Sequence, residues 1–486
     1  MTDRREGWAL LRCPHIALPT LPTDDGKNDA GVVAGLCEGR PARLPESVPP
    51  RVIIAVCRQV DSQEAWMGEL RRHGAIDPLV RVVVAGTEAD SAPENAARLR
   101  AAAARLMAEE PDGRHHLRPR WGARPGSGSR RALLGLPPLA YDALPTVDPR
   151  RCAAEAGCRQ CIDACPHRAL TFTDGQVTLD PARCTSCGRC VSVCPPHATT
   201  MLGSQLANLE LEVERLTAEA PGVPIAFACQ RRADLPGWAV VEVPCAGAVM
   251  PGLVLGAALL GAGAVAVAHC GDACRSGDGA WPREVVASAA TVWQERMPSL
   301  SPPFVFVAPG AIPPTPRRAP VLERQPLEEG WATRTGFALR ALGRAGVLGT
   351  ALHEERLAGI GRPIIEAAAC TRCGTCARVC PTGAITQAAV PNGTAIVIDH
   401  ARCVGCGVCV ANCPEVANGA IRVAPGFDPG GLQGPSPAVT AEELRCERCG
   451  GPVAPREMIE RLRALLGSDF QEQTMARRCP QCRGLP

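Results

Sequence analysis

The stretch CTRCGTCARVCP, residues 370–381, sets cysteines at 370, 373, 376 and 380 and a proline at 381. Three thiolates spaced three residues apart on a tight loop can each take one corner of an iron–sulfur cubane. The fourth lies just beyond that reach and serves the other cluster of a pair. Proline then turns the chain away. The same spacing recurs from Cys403 through Cys406, Cys409 and Cys413 to Pro414, and from Cys184 through Cys187, Cys190 and Cys194 to Pro195. A further run, Cys152, Cys158, Cys161, Cys165 and Pro166, carries three extra residues before its second cysteine. The runs therefore come in two pairs, within 149–200 and 365–425, repeated about 218 residues apart.

Exchange of the fourth cysteine within each pair assigns the ligands. One set is Cys370, Cys373, Cys376 and Cys413; its neighbour is Cys403, Cys406, Cys409 and Cys380. In the first pair, Cys184, Cys187, Cys190 and Cys165 form one set, and Cys152, Cys158, Cys161 and Cys194 the other. The long loop after Cys152 either delivers that thiol to a four-iron cluster, the reading adopted, or leaves a three-iron site. His167 and His197 are read as loop residues. Both modules resemble bacterial two-cluster ferredoxins. That resemblance implies an α+β fold with two [4Fe–4S] clusters close enough for one-electron hopping, tuned by amide hydrogen bonds to sulfur.

The other cysteines fit the same chemistry. There are 27, an odd number, mostly two or three residues apart, which suits metal capture better than disulfides. Thiolate ligation needs reduced sulfur, so a bacterial or archaeal cytoplasm is expected. Aromatics make up only 3% and net charge is +3, a balance that argues against nucleic acid or an anionic membrane surface as partner. No apolar stretch follows Arg4-Arg5, so no secretory signal is expected. Residues 247–268 hold no charge and reach the length of a membrane span. Pro251 and the Gly-Ala-Gly break at 261–263 favour a buried helix–turn–strand, and no transmembrane segment is expected.

The chain reads as a multidomain α/β and α+β protein. Residues 1–110 form a small α/β domain of unassigned role. Little periodicity shows over 1–50; strands are expected at RVIIAV and VRVVVAG, and helices at 62–73 and 93–109. Residues 111–148 read as a linker. A helix at SQLANLELEVERL leads into a second α/β domain, 221–300, with strands ending near Cys229, Cys245 and Cys270. A Pro-rich linker, 301–335, and a helix over about 336–358 precede the second module. The tail, 440–486, holds Cys446, Cys449, Cys479 and Cys482.

Cys229, Cys245, Cys270 and Cys274 at strand ends would converge on one sheet edge, as a further metal site or as small buried side chains. The stretch VPCAGAVMPGLVLGAALLGAGAVAVAHCGDAC, residues 243–274, resembles the iron–sulfur delta subunit of methyl viologen-reducing hydrogenases. The resemblance covers about 221–300 and implies a [2Fe–2S] centre on an α/β domain. Arg232 stands where that family carries the second cysteine of its first pair. The tail's two Cys-x-x-Cys pairs suit a tetrahedral zinc-ribbon-like or rubredoxin-like site, with zinc preferred to iron. Cys13, Cys37 and Cys57 remain unassigned, Cys57 being read as packing.

No P-loop, nucleophile elbow or HExxH motif occurs, and Gly359-Ile360-Gly361 lacks the rest of a dinucleotide fingerprint. The expectation is an electron carrier rather than an enzyme in its own right. The whole is similar to multi-cluster ferredoxin proteins that accompany formate dehydrogenases. That implies redox-enzyme partners of hydrogenase, heterodisulfide reductase or formate dehydrogenase type. A stable electron-transfer subunit and an accessory or maturation factor both fit.

Overall fold

The computed structural model describes residues 8–16, 29–34, 36–38, 44, 48–57, 67–68, 70–71, 73, 75, 79–86, 91–109, 116–120, 140–229, 234–271, 274, 277, 279–311, 313–391 and 393–483. The chain divides into two compact units, residues 1–150 with 161–333, and residues 151–160 with 334–486.

The first unit opens with a parallel sheet of β1 (Trp8–Arg12), β2 (Asp29–Val32), β3 (Arg51–Val56) and β4 (Val80–Val84), in the order β2-β1-β3-β4. RVIIAV is buried at every position, as expected of a parallel strand covered on both faces. Strands β1 and β2 lie inside the stretch with little periodicity. A strand such as WALLR, with its three middle residues buried, gives no alternation to detect. Helix Ala92–Ala108 follows, with proline in its first turn, where the missing N–H costs nothing. The helix expected over 62–73 lies largely outside the described residues. Within the stretch read as linker, β5 (His116–Arg120) and β6 (Ala140–Leu144) pair antiparallel.

Next, β7 (Thr146–Val147) pairs with β10 (Thr199–Thr200), and β8 (Leu170–Thr173) forms a hairpin with β9 (Gln176–Leu179). The hairpin's two loop residues, Asp174 and Gly175, have φ of 52° and 78°, the left-handed pair that a two-residue hairpin demands. Helix Leu206–Glu219 then leads to a second parallel sheet of β11 (Ile225–Ala228), β12 (Ala239–Glu242), β13 (Val265–Ala268) and β14 (Phe304–Val307). Its order is β12-β11-β13-β14, which repeats the N-terminal sheet strand for strand. Strand β14 falls in the Pro-rich segment read as linker, so the sheet extends past residue 300. The uncharged stretch 247–268 becomes a nine-residue helix, Pro251–Leu259, a turn, and β13, all buried save Gly247 and Ala248. Among the described residues, no helix is long and apolar enough to cross a membrane.

Helices Ala92–Ala108 and Leu206–Glu219 pack together across a buried charge network. Arg105 donates to Glu212 Oε2 at 2.6 Å, to the Glu242 carbonyl at 2.7 Å and to the Gly203 carbonyl at 3.1 Å. Arg81 donates to the same Gly203 carbonyl at 2.8 Å, and Glu109 accepts the Gly203 N–H at 3.1 Å. Arg105 is 1% exposed and Glu109 0%. Such charges are tolerable only while each keeps its partners.

In the second unit, helix Thr335–Arg344 is about half the length expected. It ends because Gly346, at φ 73°, lets the Gly346 and Val347 N–H groups reach back to Gly343 and Leu342. Strand β15 (Arg362–Ile365) pairs antiparallel with β18 (Ile421–Ala424). Strands β16 (Ile385–Val390), β17 (Gly393–Ile398), β19 (Ser436–Arg445) and β20 (Pro452–Pro455) form one antiparallel sheet in the order β16-β17-β19-β20. The tail therefore begins on a strand of the second module's own sheet. The fold is mixed α/β and multidomain.

Arg105→Ala strands buried carboxylates and is expected to cost about 3–5 kcal/mol in urea unfolding. Arg100→Ala, which removes the more exposed Arg100–Glu219 pair, should cost under about 1 kcal/mol. Glu210 is pushed up to about 7, chiefly by burial. The folded state thus binds more protons than the unfolded state between pH ~4.5 and 7, so this group's contribution to stability falls as pH rises through that window. Unfolding curves across it should show the decline, with Glu210→Gln flattening the slope.

Candidate metal centres

Pairing of terminal strands brings the two cysteine runs of a module together. In the second module, Ile365 at the end of β15 pairs with Ile421 at the start of β18. Cys370 follows the first strand and Cys413 precedes the second. A cavity of about 330 Å³, including its open mouth, is lined by Cys370, Cys373, Cys376 and Cys413, closed by Ile365, Ile396 and Ile421. In the first module, a cavity of about 360 Å³ is lined by Cys165, Cys184, Cys187 and Cys190, with Leu170 and Leu179 as its apolar wall. Each cavity draws three thiols from one run and one from its neighbour.

The loops share a backbone device. The residue before the second cysteine is left-handed in three runs: Ser186 at φ 57°, Arg372 at 57° and Gly405 at 72°. The residue after it is glycine in all three: Gly188 at 78°, Gly374 at 74° and Gly407 at 76°. This reversal turns amides toward sulfur. Ser186 N–H donates to Cys184 Sγ at 3.4 Å, and Arg372 N–H to Cys370 Sγ at 3.4 Å. A second left-handed position falls three residues past the fourth cysteine, at Arg168 (φ 49°), His197 (52°) and Gly383 (66°). There the chain folds back so that Ala169, Ala198 and Ile385 donate to Cys165, Cys194 and Cys380 at 3.3, 3.2 and 3.5 Å. His167 and His197 accordingly sit on turns. The run ending at Cys413 replaces that turn with a short helix, Val416–Asn418, before Gly419 at φ 76°.

Crowding of thiols is visible in their acidities. Burial, with the nearby Cys187, Cys161, Cys184 and Cys165, holds Cys190 well above the ordinary thiol range. Burial with Cys370 and Cys373 pushes Cys376 up to about 12. Cys409 rises to about 12 through burial and the neighbouring Cys406, Cys380 and Cys376. Cys403, 9% exposed, is raised by burial, opposed by the Gly405 amide, with Cys406, Cys409 and Cys380 nearby. These thiols resist ionising beside one another, which is the state a cationic iron core relieves. Of the remaining set, Cys152 and Cys158 belong to the second unit and Cys161 and Cys194 to the first. The Cys158 loop is fixed by N–H bonds from Gly157 to Ala154 and from Cys158 to Ala153.

In the central sheet, Cys229 directly follows β11, Cys270 follows β13 by two residues and Cys245 follows β12 by three. Parallel strands point their C-terminal ends the same way, so these cysteines share one edge. Cys270 is raised by hydrogen bonding to Cys229, then by burial and by Cys274. Cys245 Sγ accepts the Gly247 N–H at 3.4 Å. Arg232 lies outside the described residues. In the tail, Cys446, Cys449, Cys479 and Cys482 bring their sulfurs within 4.8 Å of one another. Amides of Cys479 and Cys449 hold the Cys446 thiol below its ordinary range, at about 6.

Two arginines belong to this picture that cysteine spacing could not reveal. Arg118, on β5, donates to the Cys184 carbonyl at 2.9 Å and also binds the Pro181 carbonyl. Arg189 stacks on Trp281 with its guanidinium 3.9 Å from the ring centroid and lies within the field of Cys187, Cys165 and Cys245. Ser192 in the same short helix donates to the Ala248 carbonyl at 2.6 Å, tying the first module to the Cys245 loop.

A family model described as a 4Fe-4S dicluster domain matches the chain twice, at residues 145–198 and 369–417. No curated protein matches it. The two matched segments contain every cysteine that lines the two cavities, and they support an iron–sulfur electron-transfer role.

Gly407 tests the loop device, since its surroundings are open and only its left-handed backbone resists a side chain. Gly407→Val should cost about 1–2 kcal/mol locally. It should show as faster bleaching of iron–sulfur absorbance under a chelator than in the unsubstituted protein.

Proposed function

We propose that this chain is a multi-centre electron relay holding four [4Fe–4S] clusters and a [2Fe–2S] cluster. It serves as a subunit or partner of a hydrogenase-, heterodisulfide reductase- or formate dehydrogenase-type oxidoreductase. The observation that carries the reading is that each lined cavity takes three thiols from one run and the fourth from the other. The ligand sets are Cys370, Cys373, Cys376 and Cys413; Cys403, Cys406, Cys409 and Cys380; Cys184, Cys187, Cys190 and Cys165; and Cys152, Cys158, Cys161 and Cys194. Cys229, Cys245, Cys270 and Cys274 hold the smaller cluster, and the tail's four cysteines a structural zinc.

The clusters supply one-electron chemistry at fixed positions. The chain's part is to hold thiolates, exclude water and set local charge. Amides directed at sulfur stabilise added negative charge, and the apolar walls keep the dielectric low. Arg189 places a cation beside Cys187, Cys165 and Cys245, where it favours the reduced form of the neighbouring centres. The cytoplasm suits thiols kept reduced.

Anaerobic purification with iron and sulfide analysis tests the count, since four cubanes and one two-iron centre require about 18 irons. Four irons or fewer, with abundant zinc, would sink the proposal. Cys413→Ala should remove one cubane signal from reductive EPR titrations and leave the others. Arg189→Gln should lower the midpoint potentials of the cubane held by Cys187 and Cys165 and of the centre held by Cys245, and leave the other centres unmoved. Stoichiometric co-purification with a catalytic subunit is expected, and purely transient association would overturn the subunit reading.

A further inference from the structure

The N-terminal sheet repeats the central one in strand order and direction. The repetition extends to its cysteines. Cys13 directly follows β1 as Cys229 follows β11, and Cys57 follows β3 as Cys270 follows β13. Cys37, in the short helix Leu36–Glu38 after β2, corresponds to Cys245 after β12. In the order β2-β1-β3-β4 the connections leave β1 and β3 toward opposite sides. Their C-terminal ends therefore border the crevice where open α/β sheets bind ligands. The ladder continues past the strands to fix this edge, with Cys13 N–H donating to the Ala55 carbonyl at 3.0 Å and Val33 N–H to the Arg12 carbonyl at 2.8 Å.

His15 completes the group. Its Nδ1 lies 3.4 Å from Cys37 Sγ and 3.9 Å from Cys57 Sγ. The ligand atoms of Cys13, His15, Cys37 and Cys57 all lie within 4.8 Å of one another. Cys13 and Cys37 are buried, Cys57 is half-buried and His15 is exposed, so the group reaches from the interior to the surface. Metal–sulfur bonds of about 2.3 Å in a tetrahedron set ligand atoms about 3.8 Å apart, which matches this spacing. Corner thiolates of a cubane stand further apart because four irons lie between them. Among the described residues the cubane-type cysteine sets form no group this tight, whereas the tail cysteines do.

We infer that Cys13, His15, Cys37 and Cys57 form a mononuclear, four-coordinate site for a divalent ion, zinc or ferrous iron, clamping the C-terminal edge of the N-terminal sheet. The three thiols bind as thiolates, each giving its proton to solvent, and the imidazole binds neutral through Nδ1, so uptake releases three protons. Borderline-soft sulfur and nitrogen donors select zinc or ferrous iron over magnesium or calcium. The site is independent of the relay proposed above, since none of its ligands serves a relay cluster.

The test uses full-length, cluster-loaded protein purified anaerobically. Cys37→Ser should remove one equivalent of metal while sulfide content and far-UV circular dichroism stay unchanged. His15→Ala, an exposed change that leaves the core intact, should lose that same equivalent to a chelator before the unsubstituted protein does. His15→Cys should keep it. Cys449→Ser should remove a different equivalent, separating the tail site. Elemental analysis tells zinc from iron, and zinc-edge X-ray absorption of Cys449→Ser, which lacks the tail metal, should show a shell of three sulfurs and one nitrogen where the ion is zinc. Unchanged metal content in Cys37→Ser, or release to the chelator from His15→Ala no faster than from the unsubstituted protein, would overturn the inference. So would loss of two or more irons with matching sulfide, which would mark a polynuclear cluster. A failed relay would appear instead as missing iron and sulfide in the unsubstituted protein.

Discussion

The Gly203 peptide is where three parts of the first unit meet. Its carbonyl takes guanidinium hydrogen bonds from Arg81 on β4 and Arg105 on the first long helix, and its N–H goes to Glu109. Arg105 also reaches Glu212 on the following helix and the backbone at Glu242, the end of β12. Gly203 lies three residues beyond the last strand of the first cluster module. One buried network thus joins both parallel sheets to the exit of that module. A hydrophobic contact could be shared less specifically, whereas buried charges accept one arrangement of partners.

That arrangement matters because electron transfer depends on fixed separations between centres. The first module's helix Arg189–Ser192 lies against the Cys245 loop through the Ser192 bond to Ala248. Gly188 approaches Pro244 closely enough that a Cβ would stand 3.1 Å from its ring. Glycine is needed there twice over, for its left-handed φ and for this approach. The same residue shapes the thiolate loop and permits the docking.

Much of this was legible in the cysteine spacing. The runs and their pairing follow from how far a tight loop can reach, and two cavities gather Cys370, Cys373, Cys376 and Cys413, and Cys165, Cys184, Cys187 and Cys190. Strands rich in valine and isoleucine, such as RVIIAV, were equally plain. What stayed hidden has physical causes. WALLR has no alternation because both its faces are buried, and DAGV is too short for any. Strand β14 hides among prolines that stand just outside it. The tail's β19 looks separate in sequence, yet it hydrogen-bonds to β17, a pairing set by tertiary register rather than local composition. Arg118 lies in a Gly- and Arg-rich stretch read as linker, and only the folded chain shows it at the Cys184 carbonyl. His15 carried no signal by itself, because its partners Cys37 and Cys57 are 22 and 42 residues away.

Sulfur spacing in space, rather than in sequence, separates the kinds of centre this chain can hold. A Cys-x-x-Cys pair occurs in the cubane runs and in the tail alike. What differs is how the backbone presents the second half of each set. In the runs, paired left-handed residues spread successive thiols around a cavity with apolar walls. In the tail, knuckle bonds such as Cys446 N–H to the Gly451 carbonyl at 2.8 Å fold each pair tightly, and Cys449 and Cys479 sulfurs stand 3.5 Å apart. The backbone, through turns that use left-handed residues in the runs and Gly450 at φ 72° in the tail, thus sets how far apart the sulfurs stand.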